Sequence, residues 1–584
     1  MSSRGGRRRL GGSTRVSARS GNTSNIMLKQ LTRKLHQWFA VADREVPSDA
    51  GNATRTKPDP DWFERGLALR RVGNREAALE CFQHAVESRH DDVNALVNQG
   101  DIQAELGRHE DAADCFELAL AFASDSVDAL LGLARLARDA GDETRALAHL
   151  QHAARIAPHS AEPYFELGRT YKRGGDTKAA VASYGRALEI DPDHFGSCVN
   201  TGLLHLAQLG DACSARQFFE HAVRLRPDSV AAQANLGLAL QELGQFETAL
   251  EHYNRLIEMY PDVVEYRWNR GIALLSHGDF ANGWNDYELR HVRAGRSFAR
   301  RFPFAEWDGT ALSGRHILIY GEQGVGDEIM FASCVSDVLR GARGVVIECD
   351  RRLAPLFRRS FPAARVHGAA RDGQRDWLKT FPELSLQIAA GSLPRFFRRN
   401  QSEFPQHDGY LAPDAARRAY WQTRLAALGG GLKIGIGWHG GTLNTRRELR
   451  SLALADCLPL LQRNDCEFIC LQSGDCSAEI AAARERGARL HWWPEALRDI
   501  DELAGLISAL DCVVAADSTI VHLGGALGQK VWVMLSASAE WRYLWRGERM
   551  PWYPALRLFR QQRAGDWQPV VEAITAALGR GDRD

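Results

Sequence analysis

Glycine, alanine and aromatic residues recur at a fixed step along the first half of this chain, while the second half breaks into short apolar runs separated by helical patterns. Gly66 and Gly100 are 34 positions apart, and so are Gly168 and Gly202, and Gly237 and Gly271. Each marker opens the same downstream pattern. The first unit has Gly73, Ala78, Phe82 and Ala85; the second has Gly107, Ala112, Phe116 and Ala119; the fourth has Gly175, Ala180, Tyr184, Ala187 and Pro192. Small residues at fixed spacing let two antiparallel helices approach, while the aromatic fills the gap to the neighbouring pair. Glycine turns the chain, and proline stops the second helix. The pattern predicts six helix pairs from about residue 60 to 262 and a seventh that drifts. One extra residue between Gly202 and Gly210 is expected in an inter-helix turn.

The last unit ends in Gly278-Asp279-Phe280, Gly283-Trp284 and Tyr287-Glu288-Leu289-Arg290, and a linker with Trp307-Asp308-Gly309 follows. From there strands and helices alternate, which predicts an α/β architecture with parallel sheets. Strands are expected at Ile317–Tyr320, Gly344–Cys349 and Ala364–His367 in a first lobe. After a helical stretch, Pro413–Leu428, a second lobe should hold Ile434–Trp438, Phe468–Gln472, Arg489–Trp492, Cys512–Ala516 and Val531–Leu535. The expected domains are a basic arm at 1–58, repeats at 59–295, a first lobe at 312–428 and a second lobe at 429–580. Two such lobes in series imply a cleft between them, with ligands where the carboxyl ends of the strands point.

Three clusters fall at those strand ends. Gln323-Gly324-Val325-Gly326-Asp327 follows the first strand. Trp438-His439-Gly440-Gly441 follows the first strand of the second lobe and leads into a loop with Arg446, Arg447, Arg450 and Ser451. Asp517-Ser518-Thr519 precedes a glycine-containing helical run with His522. In this last cluster, strand, hydroxyls and helix start come in an order that suits a phosphate, since backbone N–H groups and the helix dipole attract anions. The arginine loop would neutralise the rest of a diphosphate's charge, or its arginines are solvated loop charges. Asp327 reads as a general base, a substrate-positioning group or a plain helix N-cap. His439 is an alternative base or a packed or solvent-facing histidine, and His522 is either structural or ligand-contacting. Gly321, Gly324 and Gly326 do not match the dinucleotide-binding fingerprint, which disfavours a hydride-transfer enzyme.

Composition narrows the class. At 584 residues, two or three domains are expected. Lys+Arg and Asp+Glu balance at 73 each, so no global field argues for nucleic acid or an anionic membrane. No apolar run is long enough to span a bilayer. The 11 cysteines are scattered, with no histidine at metal-ligand spacing beside Cys466, Cys470 and Cys476, and read as reduced thiols of a cytoplasmic protein. The Asp-x-Asp sequences Asp59-Pro60-Asp61 and Asp191-Pro192-Asp193 do not follow a strand of the α/β half, so no metal site is read from them. Residues 1–26 carry six arginines and no acid, a composition of disorder that also resembles an organelle transit peptide. An upstream start codon with Met27 as the working one is the plainer account.

The repeating half resembles the tetratricopeptide repeat, whose solenoids present a groove to a protein partner. The second half resembles the heptosyltransferase-type glycosyltransferases (family 9). The likeness rests on Gly-Glu-Gln-Gly-Val-Gly-Asp at 321–327, Leu-Gln-Ser-Gly at 471–474, Asp-Ser-Thr-Ile-Val-His-Leu at 517–523, and Trp552-Tyr553-Pro554 with Leu558-Phe559-Arg560-Gln561. The domain order is also similar to that of O-linked N-acetylglucosamine transferases. These resemblances imply a GT-B fold and inverting transfer from a sugar nucleotide without an essential metal or cofactor. Asp327 would be the base, with Gln323, Gly324 and Gly326 in the acceptor loop. Arg450 takes the place of the family's basic diphosphate ligand, often lysine; Asp517, Ser518, Thr519 and His522 match the donor segment, and Gln472 is expected to face the nucleotide. Trp438-His439-Gly440 departs from the usual Trp-Ala/Ser-Gly, so His439 inherits no role. Because heptosyltransferases lack the repeats, their lipopolysaccharide acceptor does not carry over. A polypeptide Ser or Thr docked by the repeats is the expected acceptor. The alternatives are a glycan or lipid-linked acceptor, or a scaffold without catalysis.

Overall fold

The computed structural model describes residues 61–292, 300, 302–369, 375–441 and 447–580. The basic arm with Met27, and Arg446, lie outside the described residues. The chain divides into two compact units, Met1–Ile190 and Asp191–Asp584, so the division falls within the repeats and not at their end.

The first unit contains four helix pairs: α1 Trp62–Arg71 with α2 Arg75–Ser88, α3 Val93–Glu105 with α4 His109–Phe122, α5 Val127–Asp139 with α6 Glu143–Ile156, and α7 Ala161–Arg173 with α8 Thr177–Ile190. Short polar residues start many of these helices; Asp61, Asn74, Asp92, Ser126 and Asp142 each accept a backbone N–H three residues on. The spacing signal has a steric origin. A Cβ at Gly100 would lie 2.7 Å from the Phe116 ring, so only glycine lets α3 and α4 close around that aromatic.

The second unit begins with three more pairs: α9 Phe195–Ala207 with α10 Ala212–Leu225, α11 Val230–Glu242 with α12 Phe246–Met259, and α13 Val264–His277 with α14 Phe280–Tyr287. The turn between α9 and α10 spans residues 208–211, one residue more than the turn 106–108 between α3 and α4. Gly210, at φ +66°, absorbs the insertion without shifting either helix out of the repeat.

Two parallel sheets follow in the same unit. The first holds β1 Ala305–Glu306, β2 His316–Tyr320, β3 Gly344–Asp350, β4 Arg365–Ala369 and β5 Leu386–Ala389, in the order β1-β5-β2-β3-β4. The second holds β6 Leu432–Gly437, β7 Cys466–Cys470, β8 Leu490–His491, β9 Cys512–Ala516, β10 Val531–Leu535 and β11 Leu556–Arg560, in the order β11-β10-β9-β6-β7-β8. The central strands are buried on both faces, as helix-covered parallel sheets require, which is why they read as unbroken apolar runs. In the first sheet the strand order reverses between β2 and β5, in the second between β6 and β9. Ligand crevices form at such reversals.

The repeats of this unit are fastened to the sheets by polar and aromatic contacts. Trp284 on α14 is fully buried and donates its indole N–H to the Arg398 carbonyl at 2.7 Å. Beyond α14, Arg290 is buried against Glu322, with guanidinium–carboxylate contacts of 2.8–3.1 Å, and donates to Ser392 Oγ at 2.6 Å. The motif that closes the repeats is therefore also the joint to the first sheet.

Candidate functional site

The two strand-order reversals are brought together by two helices. Helix Val325–Phe331 leaves β2, and helix Thr519–Ala526 leaves β9. They touch at their starts: a Cβ at Gly326 would sit 3.0 Å from His522 Cδ2 and 3.6 Å from Thr519 Oγ1. Two segments distant in sequence thus form one polar crevice.

Asp327 is the third residue of its helix, with Gly324 at the cap position. Its Oδ2 accepts the Gly324 N–H at 3.2 Å, so the helix-start role uses one oxygen. Its Oδ1 accepts from Arg542 Nη2 at 2.8 Å, across the crevice. Burial raises the Asp327 carboxyl above the usual aspartate range, and the Arg542 charge only partly opposes this. The side chain keeps 19% of its surface exposed, so water or a substrate can reach it.

Arg450 is buried and donates to Asp517 Oδ2 at 2.5 Å and to Glu540 Oε1 at 3.1 Å. The second oxygen of Asp517 accepts from the Tyr543 hydroxyl at 2.6 Å. Burial, together with that carboxylate, holds the phenol well above its ordinary value. Ser518 caps the second helix, yet its Oγ is buried without a partner among the described residues. Thr519, the first helical residue, is exposed.

His522 lies fully inside, its Nδ1 3.1 Å from the Tyr553 hydroxyl. Burial, then the charges of Arg542 and Arg450, push its imidazole well below 6.5, so it is neutral at pH 7. The sign of the linkage follows. Below about pH 6.5 the unfolded chain takes up a proton that the native site refuses, so this contribution is present above that pH and lost as the pH falls. The slope is at most about 1.4 kcal/mol per pH unit. Urea denaturation from about pH 6.5 to 5 should therefore show a shallower loss of stability in His522→Gln than in the parent chain. An identical slope would show that His522 titrates normally in the native state.

The remaining candidates sit at the edges. The Gln472 carbonyl oxygen accepts the N–H groups of Trp438 (3.1 Å) and His439 (2.8 Å), so that oxygen shapes the β6 loop and is not presented to a ligand. His439 Nε2 is 3.4 Å from Glu479, and its Nδ1 is buried without a partner among the described residues. Gly440 packs on the backbone of Asp517 and Arg450, which keeps the His439 loop beside the crevice. Gln323 hydrogen-bonds the Tyr287 hydroxyl of α14 at 2.9 Å, which couples the first loop to the last repeat helix. Arg447 is exposed.

Sequence reasoning did not single out Glu540, Arg542 or Tyr543. They lie on the connection from β10 to β11, at the carboxyl end of a central strand, the same positional rule that marks the other clusters.

Comparison with known proteins bears first on the repeats. Tetratricopeptide repeat family models match residues 63–127, 125–193, 165–230 and 234–297. The first half of the chain is therefore an array of tetratricopeptide repeats, the class its helix pairs define. Protein FlbA of Caulobacter vibrioides is 31% identical over 391 residues, which cover 64% of this chain. That match is longer than the whole stretch 63–297, so it is not confined to the repeats. The chain spans 65% of FlbA's length. Among solved structures, TTC0263, a thermophilic TPR protein of Thermus thermophilus, is 24% identical and covers 31% of this chain and 97% of its own, with a TM-score of 0.27. YrrB, described as a TPR protein with an unusual peptide-binding site, is 23% identical and covers 29% of this chain and 88% of its own, with a TM-score of 0.23. No described helix is long and apolar enough to cross a membrane.

Proposed function

We propose that the α/β half is a GT-B glycosyltransferase that moves a sugar, with inversion, from a sugar nucleotide to a hydroxyl group. The observation that carries this reading is the juxtaposition of Asp327 at one strand-order reversal with Arg450, Asp517 and Thr519 at the other. A carboxylate with a raised pKa suits a general base, and an arginine beside a helix start suits a departing diphosphate. The acceptor oxygen attacks the anomeric carbon and forms a new C–O bond. The bond from that carbon to the diphosphate oxygen breaks, and its electron pair leaves with the nucleoside diphosphate. The acceptor proton passes to Asp327. The positive charge for the leaving group comes from arginine, so the reaction proceeds without a metal.

The preferred acceptor is a serine or threonine of a polypeptide held by the tetratricopeptide repeats, in the cytoplasm. The Gln323–Tyr287 and Arg290–Glu322 contacts support this, because they attach the acceptor-side loop to the last repeat helix and the turn that follows it.

Calorimetric titration of a panel of nucleoside diphosphates and sugar nucleotides, in EDTA, tests the reading. A saturable ligand should bind once per chain, and Thr519→Ala should weaken it about 10-fold or more through loss of a hydrogen bond to a charged group. If no member of the panel binds, the glycosyltransferase reading falls and a repeat scaffold without catalysis is the better account.

A further inference from the structure

The connection from β10 to β11 lines the crevice and is held at both ends. Toward the crevice, the Tyr543 hydroxyl donates to Asp517 at 2.6 Å, and Arg560 Nη2 donates to the Tyr543 carbonyl at 2.6 Å. Away from it, Trp545 donates its backbone N–H to the Ser276 carbonyl on α13 at 2.9 Å and sets its ring 5.0 Å from Phe246 of α12. Between these anchors Leu544 is the only non-glycine residue at positive φ (+58°) among the described residues, a conformation kept only where the surroundings impose it. The position of Arg542 is therefore preset by contacts that do not involve its own side chain.

Each crevice arginine is capped by a carboxylate that remains accessible. Glu540, 35% exposed, caps Arg450, and Asp327, 19% exposed, caps Arg542. Behind Arg450 stands a second carboxylate, the buried Asp517, its side chain 5% exposed. Among the described residues Arg542 has no such second carboxylate within ion-pair distance, and its Nε is buried without a partner. A guanidinium with a donor in reserve and a displaceable carboxylate is arranged to exchange that carboxylate for the oxygens of a diphosphate, which it can grip through two N–H groups at once.

We propose that Arg542 is a diphosphate-binding cation, latched to Asp327 in the ligand-free crevice and transferred to the ligand's phosphate oxygens on binding, which releases Asp327 Oδ1 to the acceptor hydroxyl. This inference rests on the glycosyltransferase reading of the site. It explains how one carboxylate can be both paired at rest and available as a base. Loss of the Arg542 partner also removes the charge that lowers the Asp327 carboxyl, so ligand binding makes it more basic. Order of binding follows: the sugar nucleotide opens the latch, and only then is the base free for the acceptor.

The test is titration of inorganic pyrophosphate, and of the nucleoside diphosphate panel, into the parent chain, Asp327→Asn, Arg542→Ala, Arg542→Lys and the double variant Asp327→Asn/Arg542→Ala. Removing the latch's carboxylate should tighten diphosphate binding about 3–10-fold, because Arg542 no longer has to be taken from a counter-ion. Arg542→Ala should weaken it about 10–100-fold, the worth of a hydrogen-bonded charge pair, and Arg542→Lys should fall between. The double variant should match Arg542→Ala, since Asp327 acts on the ligand through Arg542. A gain of affinity in Asp327→Asn cannot come from misfolding, so this arm stands even if Arg542→Ala is unstable.

If nucleoside diphosphates bind but neither single variant changes their affinity, the latch is overturned and the glycosyltransferase reading survives. If pyrophosphate binds with the expected pattern and no nucleoside diphosphate does, the latch stands and the transferase reading falls. If no diphosphate binds at all, both are wrong.

Discussion

Asp327→Asn should lower the rate of sugar transfer about 10²–10⁴-fold while the sugar nucleotide binds as well as before or better. The substitution keeps the side chain's size and can still accept the Gly324 N–H that starts the helix, so the fold should persist. What it removes is the atom proposed to take the acceptor's proton. The readout is turnover with a saturating donor, measured by mass transfer onto the acceptor, beside donor affinity by calorimetry. A fall in turnover with affinity retained separates a base from a binding group. Loss of both in equal measure would make Asp327 a structural residue. In the parent chain the proposed transfer rate should decline on the acid side as Asp327 takes up its proton, with a midpoint above the usual aspartate range because burial raises its pKa. Turnover in Asp327→Asn within about 10-fold of the parent would remove the assignment altogether.

Arg290→Ala should destabilise the second unit by about 3–5 kcal/mol. Arg290 and the side chain of Glu322 are each only 1% exposed, and their pairing is supplemented by Ser392 and by the Tyr287 carbonyl. Truncating the arginine leaves the Glu322 carboxylate buried with the Gly391 N–H as its remaining backbone donor and no adjacent guanidinium. Chemical denaturation followed by circular dichroism measures the effect. A double change, Arg290→Met with Glu322→Leu, should recover most of the loss, because a buried ion pair replaced by apolar groups of similar volume is often neutral or better. If Arg290→Ala costs under about 1 kcal/mol, the joint between α14 and the first sheet is carried by Trp284 and its aromatic neighbours instead.

The two predictions differ in how far sequence alone could reach them. Asp327 stood out because it follows an apolar strand and a glycine-rich turn. Arg290 stood in a motif that sequence placed at the end of the repeats, but nothing local showed that its guanidinium would be buried against Glu322, 32 positions away. The same division runs through the sheets. Central strands such as Cys512–Ala516 and Val531–Leu535 are legible because burial on both faces demands unbroken apolar runs. The edge strand Ala305–Glu306 and the four-residue Leu386–Ala389 are not, since such short segments carry no period. Leu556–Arg560 was visible as a motif but not as a strand, because its alternation of Leu and Arg is short and its pairing partner, Val531–Leu535, lies well upstream.

The sequence by itself determined the tetratricopeptide repeats, down to the inserted residue before Gly210, and the succession of parallel strands behind them. Both are encoded locally: helix pairing by small and aromatic residues at a fixed step, strands by apolar runs between turns. Only the tertiary structure decided which strand ends face one another, that the Asp327 and His522 helices touch at Gly326, and that Arg542 completes the crevice. Those facts depend on strand order and on a connection pinned by Tyr543, Leu544 and Trp545, contacts between residues far apart in the chain that no local spacing records.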